Sequence, residues 1–172
     1  MNNIDIDGRW YSKEHKDLTR NAVKNRLNEM DKKSKAYNNI KKYSIKEYGE
    51  DNWQDGFATA VGEATANVDG DDPFTNWKHA QSSDWQGKAD KKLAEANKSF
   101  NDGNVDDGIK SLALGMHAYQ DATCPVHSQK GALATYGKHI IALGTGDSKY
   151  FNPKPYKYAK RVSRSVANAV FQ

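Results

Sequence analysis

The sequence predicts an all-α protein, a compact helical bundle built as a single domain over residues 1–172. Apolar residues recur at three- and four-residue steps through most of the chain, which is the period of an amphipathic helix. We find no internal repeat, and 172 residues fall within the size of one domain. The hydrophobic fraction is only 37%, so burial alone leaves a thin stability margin. A bound metal ion is one way to stabilise such a fold further.

The first half of the chain predicts two helices separated by less regular sequence. Residues 12–30 begin at a serine suited to N-capping and carry an apolar face, and they place His15 in the first turn. Residues 32–46 are rich in lysine and tyrosine with weak patterning, whereas residues 57–66 read as a short buried helix. We expect residues 67–76 to form a loop, because they contain glycine, two adjacent aspartates and a proline.

The second half predicts a helical hairpin followed by two more helices. The first helix of the hairpin covers residues 84–100 and ends in turn residues at 101–104. The second opens at Asp106 or Asp107 and is stopped by Pro125. The remaining expected elements are a helix at residues 130–143, a loop at 145–155 and a basic terminal helix at 156–171.

Composition excludes some classes of protein and favours an anionic partner. No stretch approaches the roughly 20 apolar residues of a membrane span, and the polar N-terminus lacks the apolar core of a secretory signal. The single cysteine, Cys124, cannot form an internal disulfide. Twenty-six basic residues against 22 acidic ones give a net charge of +4, which favours an anionic surface such as lipid or nucleic acid.

The histidines give the main indication of function. His117 and Asp121 are four residues apart on a predicted helix, so an imidazole and a carboxylate share one face. His127 follows the break at Pro125, where the turned chain can bring a third ligand back toward the first two. Zinc accepts this mixture of nitrogen and oxygen, and several zinc ions need a bridging carboxylate, a role that Asp121 could fill.

The alternative interpretation of this pair is an ordinary hydrogen-bonded histidine and aspartate on a helix face. The helix around His117 is otherwise apolar, however, through Leu112, Leu114 and Met116. Polar groups placed there need partners, which favours the metal site.

The segment His117-Ala-Tyr-Gln-Asp121-Ala-Thr-Cys-Pro125-Val-His127 resembles the central motif of the bacterial zinc-dependent phospholipases C, H-x-x-x-D-x-x-x-P-x-H. The fungal single-strand nucleases of the same trinuclear zinc fold share that motif. The resemblance extends over most of the chain and accounts for the other three histidines, His15, His79 and His139. It implies an all-helical bundle of the zinc-dependent phospholipase C type.

The resemblance also implies a centre of one to three zinc ions with Asp121 as a bridging ligand. The implied ligand sets are His79, His117 and Asp121 with an upstream aspartate, then Asp121 with His15, then His127 with His139. Asp69 is favoured as the upstream aspartate over Asp71 and Asp72. An aspartate of the same predicted loop, Asp69 or Asp72, would be the catalytic group that orients or deprotonates the attacking water.

Two departures from the family pattern bear on the number of zinc ions. Leu143 stands where the family places a glutamate four residues after the last histidine, so the site of His127 and His139 lacks that ligand. The family also uses a mature N-terminal tryptophan, whereas this chain begins at Met1 and its first tryptophan is Trp10.

The implied reaction is zinc-dependent hydrolysis of a phosphodiester, because clustered zinc ions activate water and stabilise charge on phosphorus. The short spacing from His127 to His139 and the aromatic, cationic stretch at residues 150–158 favour a phospholipase C acting at a phospholipid or membrane surface. Nucleic acid is the less favoured substrate. A single-strand nuclease is the alternative function, because bases also stack on aromatic rings such as those at residues 150–158. A non-catalytic zinc-stabilised binding module is a third candidate function, and the stretch at 150–158 is equally compatible with a solvated helix face.

The lack of a signal sequence and the short length lead to a hypothesis about biology. We expect the chain to be the effector, or toxin, part of a larger exported protein that leaves the cell without a signal peptide of its own. A toxin of this kind would have a cognate inhibitor protein as a partner.

Overall fold

The computed structural model describes residues 12–71, 77–80, 82–123 and 153–171, and its secondary structure over these residues is six α-helices with no strand. The all-α prediction is therefore confirmed. The helices are α1 (Ser12–Glu29), α2 (Lys35–Tyr48), α3 (Trp53–Asp71), α4 (Trp85–Asp102), α5 (Val105–Asp121) and α6 (Pro153–Val170). None of these helices combines the length and the apolar character needed to cross a bilayer.

The helices pack as two long pairs joined through α5. α1 lies along α3, and α4 forms the predicted hairpin with α5. α3 and α6 both pack on α5, α6 also contacts α1, and α2 covers α3 and α4. α5 is therefore the central helix, and its buried side chains are the ones most able to meet residues from several other helices.

Three phenylalanines form the centre of the core. Phe57 of α3, Phe100 of α4 and Phe171 directly after α6 are each fully buried, with ring centroids 5.2 to 6.4 Å apart. Burying each ring contributes about 1.5–3 kcal/mol. The carbonyl of Phe171 accepts a hydrogen bond of 2.6 Å from Arg26 Nη2, which ties the end of α6 to α1.

The expected hairpin turn is present between α4 and α5. Gly103 caps α4 in the left-handed region with φ of 86°, a conformation that glycine adopts at low cost. The amide of Asn104 donates to the carbonyl of Ser99 at 2.9 Å. The predicted ends of α1 and α4 and the predicted start of α5 agree with the structure to within a few residues.

The predicted loop at residues 67–76 is wrong in its first half, because α3 continues to Asp71. Val68 is 5% exposed and follows the buried Val61 by seven residues, on the same helix face. Burial of this face outweighs the weak helix propensity of the asparagine, aspartates and glycine around it.

The weakly patterned lysine- and tyrosine-rich stretch forms a regular helix, α2. Ser34 caps it by accepting a hydrogen bond from the Tyr37 amide at 3.2 Å, and Ile40 is fully buried. A single buried face on an otherwise exposed helix is enough to order it against α3 and α4.

α6 begins earlier than predicted. It starts at Pro153, so both prolines that were expected in a loop lie in its first turn. Proline is tolerated there because the first amides of a helix have no partner within it. The predicted helix at residues 130–143, most of the loop at 145–155 and Pro125 lie outside the described residues.

Candidate metal centre

The buried face of α5 carries the imidazole of His117 and the carboxylate of Asp121. Both residues are fully buried, and His117 Nε2 lies 3.2 Å from Asp121 Oδ2, as expected of an i, i+4 pair on one helix face. Leu112 and Met116 on the same face are also fully buried. The pair therefore lies in the interior of the bundle, where an unbalanced charge is costly.

α1 brings His15 to the second oxygen of the same carboxylate. His15 is fully buried, and its Nε2 atom lies 3.2 Å from Asp121 Oδ1. Its ring stacks on that of His117, with centroids 4.1 Å apart and 26° between the planes. α1 can approach α3 closely because position 62 is glycine, where an added Cβ would lie 2.8 Å from the carbonyl oxygen of Lys16.

His79 reaches the centre from the turn at residues 77–80, between α3 and α4. It is 1% exposed, and its Nδ1 atom lies 3.0 Å from Asp121 Oδ2 and 3.2 Å from His117 Nε2. Three imidazoles thus surround one carboxylate. Oδ1 of that carboxylate faces His15, whereas Oδ2 faces His79 and His117.

A backbone carbonyl determines which nitrogen of His117 carries hydrogen. His117 Nδ1 lies 3.1 Å from the carbonyl oxygen of Thr65 in α3. A carbonyl oxygen can only accept a hydrogen bond, so Nδ1 donates it. In the neutral ring, Nε2 then directs a lone pair toward Asp121 and His79, an arrangement that a cation between these atoms would stabilise.

The ring of His15, like that of His117, has an acceptor at Nδ1 and directs Nε2 toward Asp121. Its Nδ1 atom is 2.6 Å from Gln120 Oε1. Its Nε2 atom, although buried and close to Asp121, makes no hydrogen bond within the part of the chain that the structure describes. This geometry fits a nitrogen whose lone pair is directed at a cation, since a buried ring nitrogen without such a partner is costly.

The separations between the donor atoms fit a metal ion. One ligand atom each from His15, His117 and Asp121 lies within 4.8 Å of the other two. His79 Nδ1, His117 Nε2 and Asp121 Oδ2 form a tighter triangle with edges of 3.0, 3.2 and 3.2 Å. Ligand atoms about 2.0–2.1 Å from a tetrahedral ion lie about 3.3 Å from one another. The buried group of His15, His117 and Asp121 could therefore hold a metal ion, and His79 has a suitable separation to join it.

The structure brings together four of the seven predicted ligands, His15, His79, His117 and Asp121. Asp69 belongs to the last turn of α3 by its backbone, but its side chain, like all of Asp72, lies outside the described part of the chain. His127 and His139 lie outside it as well. Their predicted roles, including the site that lacks a glutamate at Leu143, stay predictions.

Two contributors to the centre were missed by the sequence reasoning. Gln120 follows the buried Met116 by four residues, so the apolar face of α5 already placed it toward the interior. The carbonyl of Thr65 left no signal in the sequence, because its contact with His117 exists only once α3 packs on α5.

Comparison with known proteins adds no assignment, since no protein-family model, curated protein or solved structure matches the chain. The resemblance to zinc-dependent phospholipases C accordingly rests on the motif and on the order of the histidines. The arrangement of the three imidazoles around Asp121 is an independent observation, made from the tertiary structure alone.

Proposed function

We propose that this chain is a zinc-dependent phosphodiester hydrolase and that its activity is that of a phospholipase C. The observation that carries the proposal is the buried carboxylate of Asp121 with ring nitrogens of His15, His79 and His117 at 3.0 to 3.2 Å. Imidazole nitrogens grouped around a buried carboxylate are a typical ligand set for a transition-metal ion. A divalent cation held by these lone pairs would be balanced by the charge of the carboxylate.

The donor set supports zinc over the harder cations. Imidazole nitrogen suits zinc and other transition metals, whereas magnesium and calcium prefer oxygen ligands. The two oxygens of Asp121 face different imidazoles, an arrangement that suits a carboxylate bridging two ions. Bridging by Asp121 is also what the family resemblance implies.

Zinc bound at this centre would lower the pKa of water and stabilise negative charge developing on a phosphodiester. The residues of the chain hold and orient this chemistry. Asp121 supplies a compensating negative charge, and the Thr65 carbonyl accepts from Nδ1 of His117, which orients Nε2 of that ring toward the centre. Burial of the ligands excludes competing water and strengthens the electrostatic interactions at the centre.

The outer face of α6 supports a phospholipid substrate. The helix contains no acidic residue, and it presents exposed cations together with Tyr158, which is 64% exposed. The exposed cations are Lys157, Lys160, Arg161 and Arg164. On the opposite side, Ser163 is fully buried and bonds to Gln120 beside the centre. A cationic face carrying an aromatic ring suits the anionic headgroup region of a membrane.

Metal analysis combined with thermal unfolding tests the zinc centre. At a free zinc concentration about a hundred times Kd, binding should stabilise the wild type by about 2.7 kcal/mol, which raises Tm by about 5–11 °C in a chain of this length. The variant Asp121→Asn should show no rise. The matched control Asp107→Asn, at an exposed position of the same helix, should respond like the wild type.

A purely structural ion pair predicts a different result from the same experiment. In that case one imidazole is protonated, zinc does not change the Tm of the wild type, and Asp121→Asn loses about 3–5 kcal/mol at every zinc concentration because a buried charge loses its partner. This outcome would overturn the proposed zinc centre.

Activity assays on the zinc-loaded protein test the reaction and its substrate. We expect release of the phosphorylated headgroup from phosphatidylcholine vesicles, loss of that release with a chelator, and recovery when zinc is restored. His117→Ala should lose both zinc and activity. Cleavage of single-stranded DNA or RNA instead would identify the nuclease of the same motif, and zinc binding without turnover would identify a binding module. Export as a toxin and a cognate inhibitor protein stay predictions from the sequence.

A further inference from the structure

Gln120 connects the candidate metal centre to two other helices through three hydrogen bonds. It is fully buried on α5, and its Oε1 atom lies 2.6 Å from His15 Nδ1. Its Nε2 atom donates to Thr19 Oγ1 of α1 and to Ser163 Oγ of α6, both at 2.9 Å. The amide therefore has partners on both its oxygen and its nitrogen, which limits its freedom to turn over.

The direction of these hydrogen bonds follows from Ser163. Its hydroxyl donates to the carbonyl of Ala159 at 2.8 Å, so its oxygen is left to accept from Gln120. With the hydroxyl directed in this way, the nitrogen end of the amide faces Ser163 and the oxygen end faces His15. Because Oε1 can only accept, the ring nitrogen Nδ1 of His15 carries the hydrogen.

The position of this hydrogen determines the state of the other ring nitrogen of His15, Nε2. With hydrogen on Nδ1, the neutral ring of His15 has a lone pair on Nε2, which lies 3.2 Å from Asp121 Oδ1 and makes no hydrogen bond among the described residues. Without the acceptor at Gln120, hydrogen would move to Nε2 and bond to the carboxylate. The ring could then bind a metal ion through that atom only after its hydrogen returned to Nδ1, which would weaken metal binding.

We infer that Gln120 is a positioning residue that holds His15 in the Nδ1–H tautomer, with Nε2 presented to the metal ion. The inference rests on the proposed zinc centre and deepens it by assigning a supporting residue to one ligand. Thr65 plays the corresponding part for His117 through its backbone carbonyl, which substitution cannot remove. Gln120 is the side chain through which this orientation can be changed experimentally.

The tautomer can be observed directly in the zinc-free wild type by long-range proton–nitrogen NMR of the ¹⁵N-labelled imidazoles, at a pH where the ring is neutral. We expect hydrogen on Nδ1 of His15. In Gln120→Met, which keeps the length of the side chain and removes its hydrogen-bonding groups, we expect hydrogen on Nε2. Gln120→Glu retains the acceptor and should keep the wild-type tautomer.

Zinc affinity, measured by competition with a chromophoric chelator, gives the second readout. Gln120→Met should bind zinc about 10–100-fold more weakly than the wild type, as loss of a supporting partner does in other metal sites. Gln120→Glu should lose less. Thr19→Val, which leaves the bond to Ser163 in place, is the matched control and should bind zinc nearly as tightly as the wild type.

The results separate failure of the inference from failure of the zinc centre. Hydrogen on Nε2 of His15 in the wild type overturns the role of Gln120 whether or not zinc binds, and needs no variant to fold. Equal zinc affinity of Gln120→Met and the wild type overturns it as well. A wild type that binds no zinc overturns the proposed function itself, and with it the metal-positioning role of Gln120.

Discussion

The close approach of α1 and α3 at Gly62 can be tested by adding a single methyl group. In Gly62→Ala, the new Cβ would lie 2.8 Å from the carbonyl oxygen of Lys16. That oxygen belongs to the backbone of α1 and cannot rotate away, so the two helices must separate. Overpacking of this kind costs about 1–3 kcal/mol, partly offset by the helix propensity of alanine, which is worth up to about 1 kcal/mol.

Gly87 of α4 provides the matched control. It is exposed, and a Cβ there would meet no atom within 4 Å. Gly87→Ala should therefore receive only the gain in helix propensity. The difference in unfolding free energy between the two variants isolates the steric cost, and we expect Gly62→Ala to be less stable than Gly87→Ala by about 1–3 kcal/mol.

Urea unfolding followed by far-UV circular dichroism, with a chelator present, measures this difference without any contribution from bound metal. His15 directly precedes Lys16, so separating the helices should also weaken zinc binding in Gly62→Ala and leave it unchanged in Gly87→Ala. Equal stability of the two variants would refute the packing at Gly62. A large stability difference with unchanged zinc affinity would refute the coupling of this contact to His15.

Two further predictions concern pH. The pKa of the Asp55 carboxyl is held below its usual value by two cations, of which Lys24 has the larger effect and Arg20 the smaller. Each cation lies 2.8 Å from the carboxylate. Asp55 is 41% exposed, so solvent screening limits the effect, and Asp55→Asn should cost no more than about 1 kcal/mol at neutral pH. This contribution is present well above the unfolded pKa of about 3.9 and is lost as the pH falls through the lower folded value. Denaturation curves of variant and wild type should therefore converge in acid, and a constant difference down to pH 2 would contradict the assignment. The hydrogen bond from the Tyr43 hydroxyl to Asp106 Oδ1, at 2.5 Å, raises the pKa of Tyr43. The stability it contributes is present below about pH 10 and is lost as the pH rises through the raised folded value. Asp106→Asn should lower the titration midpoint of Tyr43, measured by NMR, and an unchanged midpoint would count against the hydrogen bond.

Features decided by contacts between residues close in the sequence were predicted correctly, whereas features decided by contacts between distant residues were not. The hairpin turn at Gly103 is decided by a few adjacent residues, and its turn chemistry predicted it. The extension of α3 through Val68 was missed, because local propensity favours a loop there and burial against other helices favours the helix. The start of α6 at Pro153 was missed since proline is compatible with both a loop and a first helical turn.

The amino-acid sequence by itself determined the helical class of this protein and the meeting of His117 with Asp121, because an i, i+4 contact is a property of one helix. The family resemblance implied that His15 and His79 share Asp121, but only the tertiary structure decided that both reach this carboxylate and that Gln120 contacts His15. Gln120 and His15 are 105 residues apart, and His79 and Asp121 are 42 apart. Such contacts depend on how α1, α5 and the turn at residues 77–80 pack together, which the periodicity of each segment does not specify.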